Sequence, residues 1–144
     1  MHRPAFAKKL KAIQRGMRSL LEAELKSFGI SEGQLEYLIA IFEDEGINQQ
    51  EVARQLDVGK TAVTKAAVIL EKGGFITRTR DSGDGRNYIL MTTDKGKTVG
   101  RQCLIRFARV QGLIFSEFSL EELEELTSLL DRLESRISEL TGRE

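Results

Sequence analysis

The sequence holds one cysteine, one histidine (His2) and one proline in 144 residues. One thiol cannot build an internal disulfide framework. One imidazole and one thiol also leave a metal site of the thiolate or imidazole kind short of ligands. No set of nucleophile, base and orienting residue is recognisable, which argues against an enzyme. The near-absence of proline leaves long stretches free to be helical. No apolar run approaches the roughly 20 residues that span a bilayer. The opening Met1-His2-Arg3-Pro4 leads into an amphipathic pattern and lacks the apolar core of a signal peptide. A cytoplasmic location away from membranes is therefore expected. With 40% apolar and 31% charged residues, the composition is globular, and the length suits a single compact domain spanning 1–144.

Net charge is absent as well, the 22 basic residues balancing 22 acidic ones. The balance hides a segregation. Residues 1–30 carry seven Lys/Arg against two acids, and residues 31–58 carry one against seven. Residues 59–101 carry nine against four, and residues 117–144 carry three against nine. A basic middle of this kind gives a local electrostatic footprint without a basic isoelectric point.

Apolar spacing places six helices. Phe6, Leu10, Ile13, Met17 and Leu20 or Leu21 step by four and three, a heptad-like seam for a first helix over about Ala5–Lys26. Ser31 with Gln34 opens a second helix as a capping box, Leu35, Leu38, Ile39 and Phe42 form its buried face, and Gly46 stops it. Asn48 with Glu51 opens a third as another reciprocal cap. The fourth runs over about Lys60–Lys72 on a face of Val63, Ala66, Ala67 and Leu70, and Gly73-Gly74 provides a left-handed exit. Phe75–Arg80 and Asn87–Met91 read as strands around a Gly/Asp/Ser loop. Thr93 caps a fifth helix to about Phe115. Ser119 with Glu122 caps a sixth, whose Leu123, Leu126, Leu130, Leu133, Ile137 and Leu140 step by three and four.

The third and fourth helices, joined by Asp57-Val58-Gly59, have the form of a helix-turn-helix. Its second helix must project small polar or basic residues near its N-terminus while its other face packs. Lys60, Thr61, Thr64 and Lys65 meet that requirement and can donate to phosphates or base edges. The hairpin strengthens the reading. Arg78 and Arg80 alternate on one strand and share a side, which makes them phosphate candidates. Arg86 lies just past the loop and suits a narrow minor groove. Asp84, two residues earlier, is placed to hold the Arg86 guanidinium by a charge-assisted hydrogen bond.

The order helix, helix, helix-turn-helix, wing and two long helices resembles the MarR family of transcription regulators over nearly the whole chain. The specific residues are Gln50-Glu51-Val52-Ala53, Thr61-Ala62-Val63-Thr64-Lys65, Leu70-Glu71-Lys72-Gly73-Gly74-Phe75-Ile76, Arg80-Asp81, Asp84-Gly85-Arg86 and Thr93-Asp94-Lys95-Gly96. The resemblance matches the family's wing aspartate and arginine to Asp84 and Arg86, and its base-reading helix to Lys60–Lys72. It implies a mainly α fold with a small antiparallel hairpin. It also implies a homodimer on a pseudo-palindromic double-stranded operator, with many members released by a small ligand. Residues 31–93 would form the DNA-binding lobe, and 1–30 with 94–144 the dimerisation helices. The family's ligand pocket lies between these parts. Phe6, Met17, Leu38, Phe42 and Phe107 are candidate walls here, a lining that suits a hydrophobic or phenolic effector. Three positions depart from the pattern: Gly59 replaces a common capping serine, Val68 and Ile69 are apolar where polar residues are usual, and Thr92 replaces a leucine. The alternative class is a small-molecule- or protein-binding dimer without strong DNA binding.

Other motifs fail on their residues. Gly59-Lys60-Thr61 resembles the end of a phosphate-binding loop, but Arg54 stands where that loop needs glycine. Asp81–Gly85 lacks the acids of a calcium loop, and Thr92 holds the closing glutamate position. Family members that sense peroxide use a cysteine of the first helix. Cys103 falls in the middle of the fifth and reads as a small buried residue.

Overall fold

A computed structural model of the chain describes residues 3–83 and 85–142, so His2 and Asp84 lie outside the described residues. The elements are α1 (Arg3–Leu25), a 3₁₀ turn (Lys26–Phe28), α2 (Glu32–Glu43), α3 (Gln49–Gln55), α4 (Lys60–Lys72), β1 (Ile76–Arg80), β2 (Tyr88–Thr92), α5 (Asp94–Phe115) and α6 (Leu120–Thr141). This is the expected six-helix architecture with an antiparallel hairpin. Two compact units are formed, Met1–Ala108 and Arg109–Glu144. No helix among the described residues is long and apolar enough to cross a membrane.

The first unit is built on α4. Val63, Ala66, Ala67 and Leu70 recur at i, i+3, i+4 and i+7 and are all buried. Val63, Ala67 and Leu70 meet Leu35, Leu38 and Ile41 of α2, Val52 of α3, and Ile76 and Leu90 of the hairpin in one cluster. Each Leu, Ile or Val among them contributes about 1.5–3 kcal/mol by leaving water. The buried face of α2 differs from the periodic expectation. Ala40 and Ile41 are buried, while Ile39 and Phe42 are only half-buried. The helix packs against α1, α3, α4 and β2, so its buried arc is wider than one stripe. The Phe42 ring instead rests on Gly100 of α5, where a Cβ would stand 3.2 Å from its Cγ.

The hairpin pairs Ile76 with Thr92 and Arg80 with Tyr88. Its inner strand is also tied to the loop after α2. The Gly46 N–H donates to the Leu90 carbonyl at 2.9 Å, and the Leu90 N–H to the Ile47 carbonyl at 2.8 Å. The Glu45 carboxylate accepts from both the backbone N–H of Thr92 (2.8 Å) and its hydroxyl. Thr92, unusual against the family pattern, is thus buried with its hydroxyl on a carboxylate, a bond that a leucine side chain could not make.

One junction joins the wing to α5. The Thr93 N–H donates to the Phe75 carbonyl at 3.0 Å, and its hydroxyl to the Gly74 carbonyl at 2.6 Å. The same hydroxyl accepts the Gly96 N–H at 3.1 Å, which caps α5. Gly96 is pressed so close that a Cβ would lie 1.9 Å from the Phe75 oxygen. Further along α5, Arg106 donates to the Glu24 carbonyl at 3.1 Å and lies 4.5 Å from the Phe28 ring, closing the end of α1.

Cys103 is fully buried. Burial pushes its thiol up to about 11, against a smaller opposing pull from Arg106. At pH 8 only about one thiol in a thousand would then be ionised. Iodoacetamide at pH 8 is therefore expected to label Cys103 only after denaturation. Rapid alkylation of the native protein would contradict the burial.

The second unit contains the end of α5 and all of α6. Ser119 caps it by accepting the Glu122 N–H at 3.2 Å, and the Glu122 carboxylate accepts the Ser119 N–H at 2.8 Å. No residue of α6 is buried.

Candidate nucleic-acid interface

The polar start of α4 faces outward because its apolar stripe is taken by the core. Lys60, Thr61, Thr64 and Lys65 are all exposed. With Val68 and Ile69 they line one shallow concavity of about 520 Å³. The spacing i, i+1, i+4, i+5, i+8, i+9 explains this, since these positions share a helix face. Val68 and Ile69 therefore belong to the outward face, with Ile69 40% exposed.

The first turn of α3 is locked to this face. The Gln49 amide donates to the Thr64 hydroxyl at 3.0 Å, and that hydroxyl donates to the Lys60 carbonyl at 3.0 Å. The Gln49 side-chain oxygen is buried without a hydrogen-bond partner. Asn48 caps α3 by accepting the Glu51 N–H at 2.8 Å. The reciprocal half of that cap is not formed, because the Glu51 carboxylate takes Arg54 instead, with Arg54 Nε at 3.1 Å from Oε2. A guanidinium one turn away is a stronger partner than a backbone N–H. Its hydrogen bond holds the Glu51 carboxyl below its ordinary value.

The wing supplies the other wall. Arg86 and Asn87 join Gln49, Gln50, Lys60 and Thr64 around a polar cleft of about 230 Å³. The structure thus brings Arg86 beside the N-terminus of α4. Asp84, its expected support, lies outside the described residues. The loop is shaped by Asp81, whose carboxylate accepts the Gly83 N–H at 2.9 Å. Arg80 is exposed and donates to the Gly85 carbonyl at 3.3 Å. Arg78 and Arg80 do share a side of the strand, and both lie over the Tyr88 ring, at 4.4 and 5.8 Å from its centroid. Arg78 is drawn further in. Its side chain is 14% exposed and stands 3.5 Å from Glu71 of α4. Gln49, Asn87 and Tyr88 were not singled out by sequence. Only the outward phase of the first residue of α3 hints at Gln49, and nothing local marks the other two.

The five candidate ligand walls are dispersed. Phe6 and Met17 are 42% and 40% exposed on α1, and Leu38 is in the core. Phe42 lies on Gly100. Phe107 borders a groove of about 500 Å³ whose apolar floor also includes Leu35, Ile39, Leu56 and Leu104.

A model of the MarR family matches residues 30–88. The HTH-type transcriptional regulator YybA of Bacillus subtilis (strain 168) is 31% identical over 125 residues, 87% of this chain and 83% of that protein. A solved MarR protein from Peptoclostridium difficile is similar with a TM-score of 0.85 at 28% identity, covering 93% of this chain and 88% of the other. A MarR family transcriptional regulator from Listeria monocytogenes, solved in complex with 26mer DNA, gives a TM-score of 0.79 at 25% identity, covering 92% and 89%.

Proposed function

The chain belongs to the MarR family of transcriptional regulators, DNA-binding winged helix-turn-helix proteins, and on that premise we propose that it represses a promoter as a homodimer on a pseudo-palindromic operator. The observation that carries this is the meeting of Arg86 with Lys60, Thr64 and Gln49 around one polar cleft at the mouth of the exposed face of α4. In this reading α4 enters the major groove. Lys60, Thr61, Thr64 and Lys65 contact phosphates and base edges. Arg86, held by Asp84, enters the adjacent minor groove, and Arg80 takes a phosphate beside it. Arg78, the other phosphate candidate, is drawn inward over the Tyr88 ring and toward Glu71. The DNA complex of the Listeria relative supports the same use of the fold.

Dimerisation is assigned to residues 1–30 and 94–144, with 31–93 as the DNA-binding lobe. Exposed apolar seams support this: Phe6, Leu10, Ile13 and Met17 on α1, and Leu126, Leu130, Ile137 and Leu140 on α6. Faces of this size are seldom left open to water in a monomer. The groove beside Phe107 is assigned to a small effector that releases the DNA.

A gel shift with the DNA flanking the coding region tests the reading. A specific complex is expected, tighter than with random DNA and weakening steeply between 50 and 200 mM salt. Lys65→Ala should reduce the slope of log affinity against log salt by about one unit, and an unchanged slope would remove Lys65 from the phosphate contacts. The second reading, a binding module without strong DNA affinity, is favoured by the apolar floor that Val68 and Ile69 give to the α4 face. It predicts no shift with either DNA and no retention on heparin.

A further inference from the structure

We propose that the groove beside Phe107 takes a lipophilic cation, such as a hydrophobic ammonium, phosphonium or amidinium. The proposal concerns the ligand of the groove to which an effector has been assigned, and it rests on that assignment only for its regulatory consequence. Binding itself is measurable without DNA.

The floor of the groove is apolar and includes one aromatic ring, as a drug-sized ligand requires, and about 500 Å³ is within the range of small-molecule sites. What sets the class of ligand is the rim. Glu32, Glu36 and Glu43 line the groove, and every charged residue lining it among those described is acidic. The three stand at i, i+4 and i+11 on α2. Eleven residues are close to three full turns, so the carboxylates follow one edge over about 16 Å.

This arrangement is unfavourable for the protein alone. Glu32 and Glu36 repel at i, i+4. Glu43 ends α2, where the helix dipole favours a cation, and α2 contains no Lys or Arg from Glu32 to Glu43. Arg18 relieves only part of the charge. Its Nε stands 3.5 Å from Glu32 but is shared with Glu22 at 3.1 Å. Glu36 and Glu43 have no basic partner among the described residues. A cation on the groove floor would offset both the Glu32–Glu36 repulsion and the charge of Glu43 at the helix end. A phenolate, the class that an aromatic lining alone would suggest, would meet three like-charged carboxylates along the rim.

Tetraphenylphosphonium and tetraphenylborate carry the same four phenyl rings and opposite charges, which isolates the electrostatic contribution. Calorimetric titration of the full chain should give saturable phosphonium binding, one per chain and at least tenfold tighter than borate. The preference should shrink as salt rises from 50 to 500 mM. Glu36→Gln with Glu43→Gln should reduce it below about threefold, with circular dichroism unchanged and Tm no lower than that of the parent. Equal affinities would overturn the proposal, as would a preference for borate. Saturable binding of neither ion would overturn it too. A cation that binds but leaves the gel shift unmoved would support this site and remove the effector assignment made above.

Discussion

Gly96→Ala is expected to destabilise the protein by about 2–5 kcal/mol, combining overpacking with the loss of hydrogen bonds at one carbonyl. A fall in Tm of roughly 7–17 °C corresponds to that loss in a chain of this size. The added methyl would lie 1.9 Å from the Phe75 oxygen. That oxygen already accepts from the Thr93 N–H at 3.0 Å, with the Thr93 hydroxyl 3.2 Å away. It cannot move away without breaking the point where β1 begins, β2 ends and α5 starts. Glycine is needed here for close approach and not for backbone freedom, since its φ is not positive. Differential scanning calorimetry decides the matter, and a Tm within 2 °C of the parent would mean that the junction yields cheaply.

Arg86→Ala should weaken operator binding at least tenfold at fixed salt, about 1.4 kcal/mol or more. Loss of one phosphate contact would act uniformly on all sequences, whereas loss of a minor-groove contact should cost more on the operator than on random DNA. Arg86→Lys separates charge from shape. Lysine restores the charge but not the planar fork, so it should recover nonspecific binding more than operator preference. An operator affinity unchanged in Arg86→Ala would take the wing arginine out of recognition and leave α4 alone to account for it.

The features legible in the sequence are local ones. Asn48 and Ser119 act as caps because a cap depends on residues within one turn, and Val63, Ala66, Ala67 and Leu70 are buried because a helix fixes their phase. Local rules also misled where a nearby competitor existed, as Arg54 drew Glu51 from its capping role. The first helix ends at Leu25 rather than Lys26, and a 3₁₀ turn leads to Gly29 in the left-handed region, φ 68°. The remaining features depend on contacts remote in sequence. Glu45 and Thr92 are 47 residues apart, Arg106 and Glu24 are 82 apart, and no periodicity encodes either pair. The same holds at the site. The outward set Lys60, Thr61, Thr64 and Lys65 follows from helix phase. The inward turn of Arg78 and the meeting of Arg86 with Gln49 follow from how the hairpin docks.

On the proposed function, the loop after α2 would link the groove beside Phe107 to the wing thermodynamically. Glu43 lines the groove. Two residues later Glu45 grips both polar groups of Thr92, and Ile47 pairs with Leu90 in the middle of β2. A ligand that shifts the end of α2 works against the same backbone that a bound duplex holds in place. Linkage then fixes the size of the return effect: whatever factor the ligand takes from DNA affinity, DNA takes from ligand affinity. Were the groove to take an effector that opposes DNA binding, an operator-bound molecule would be a poorer sensor than a free one.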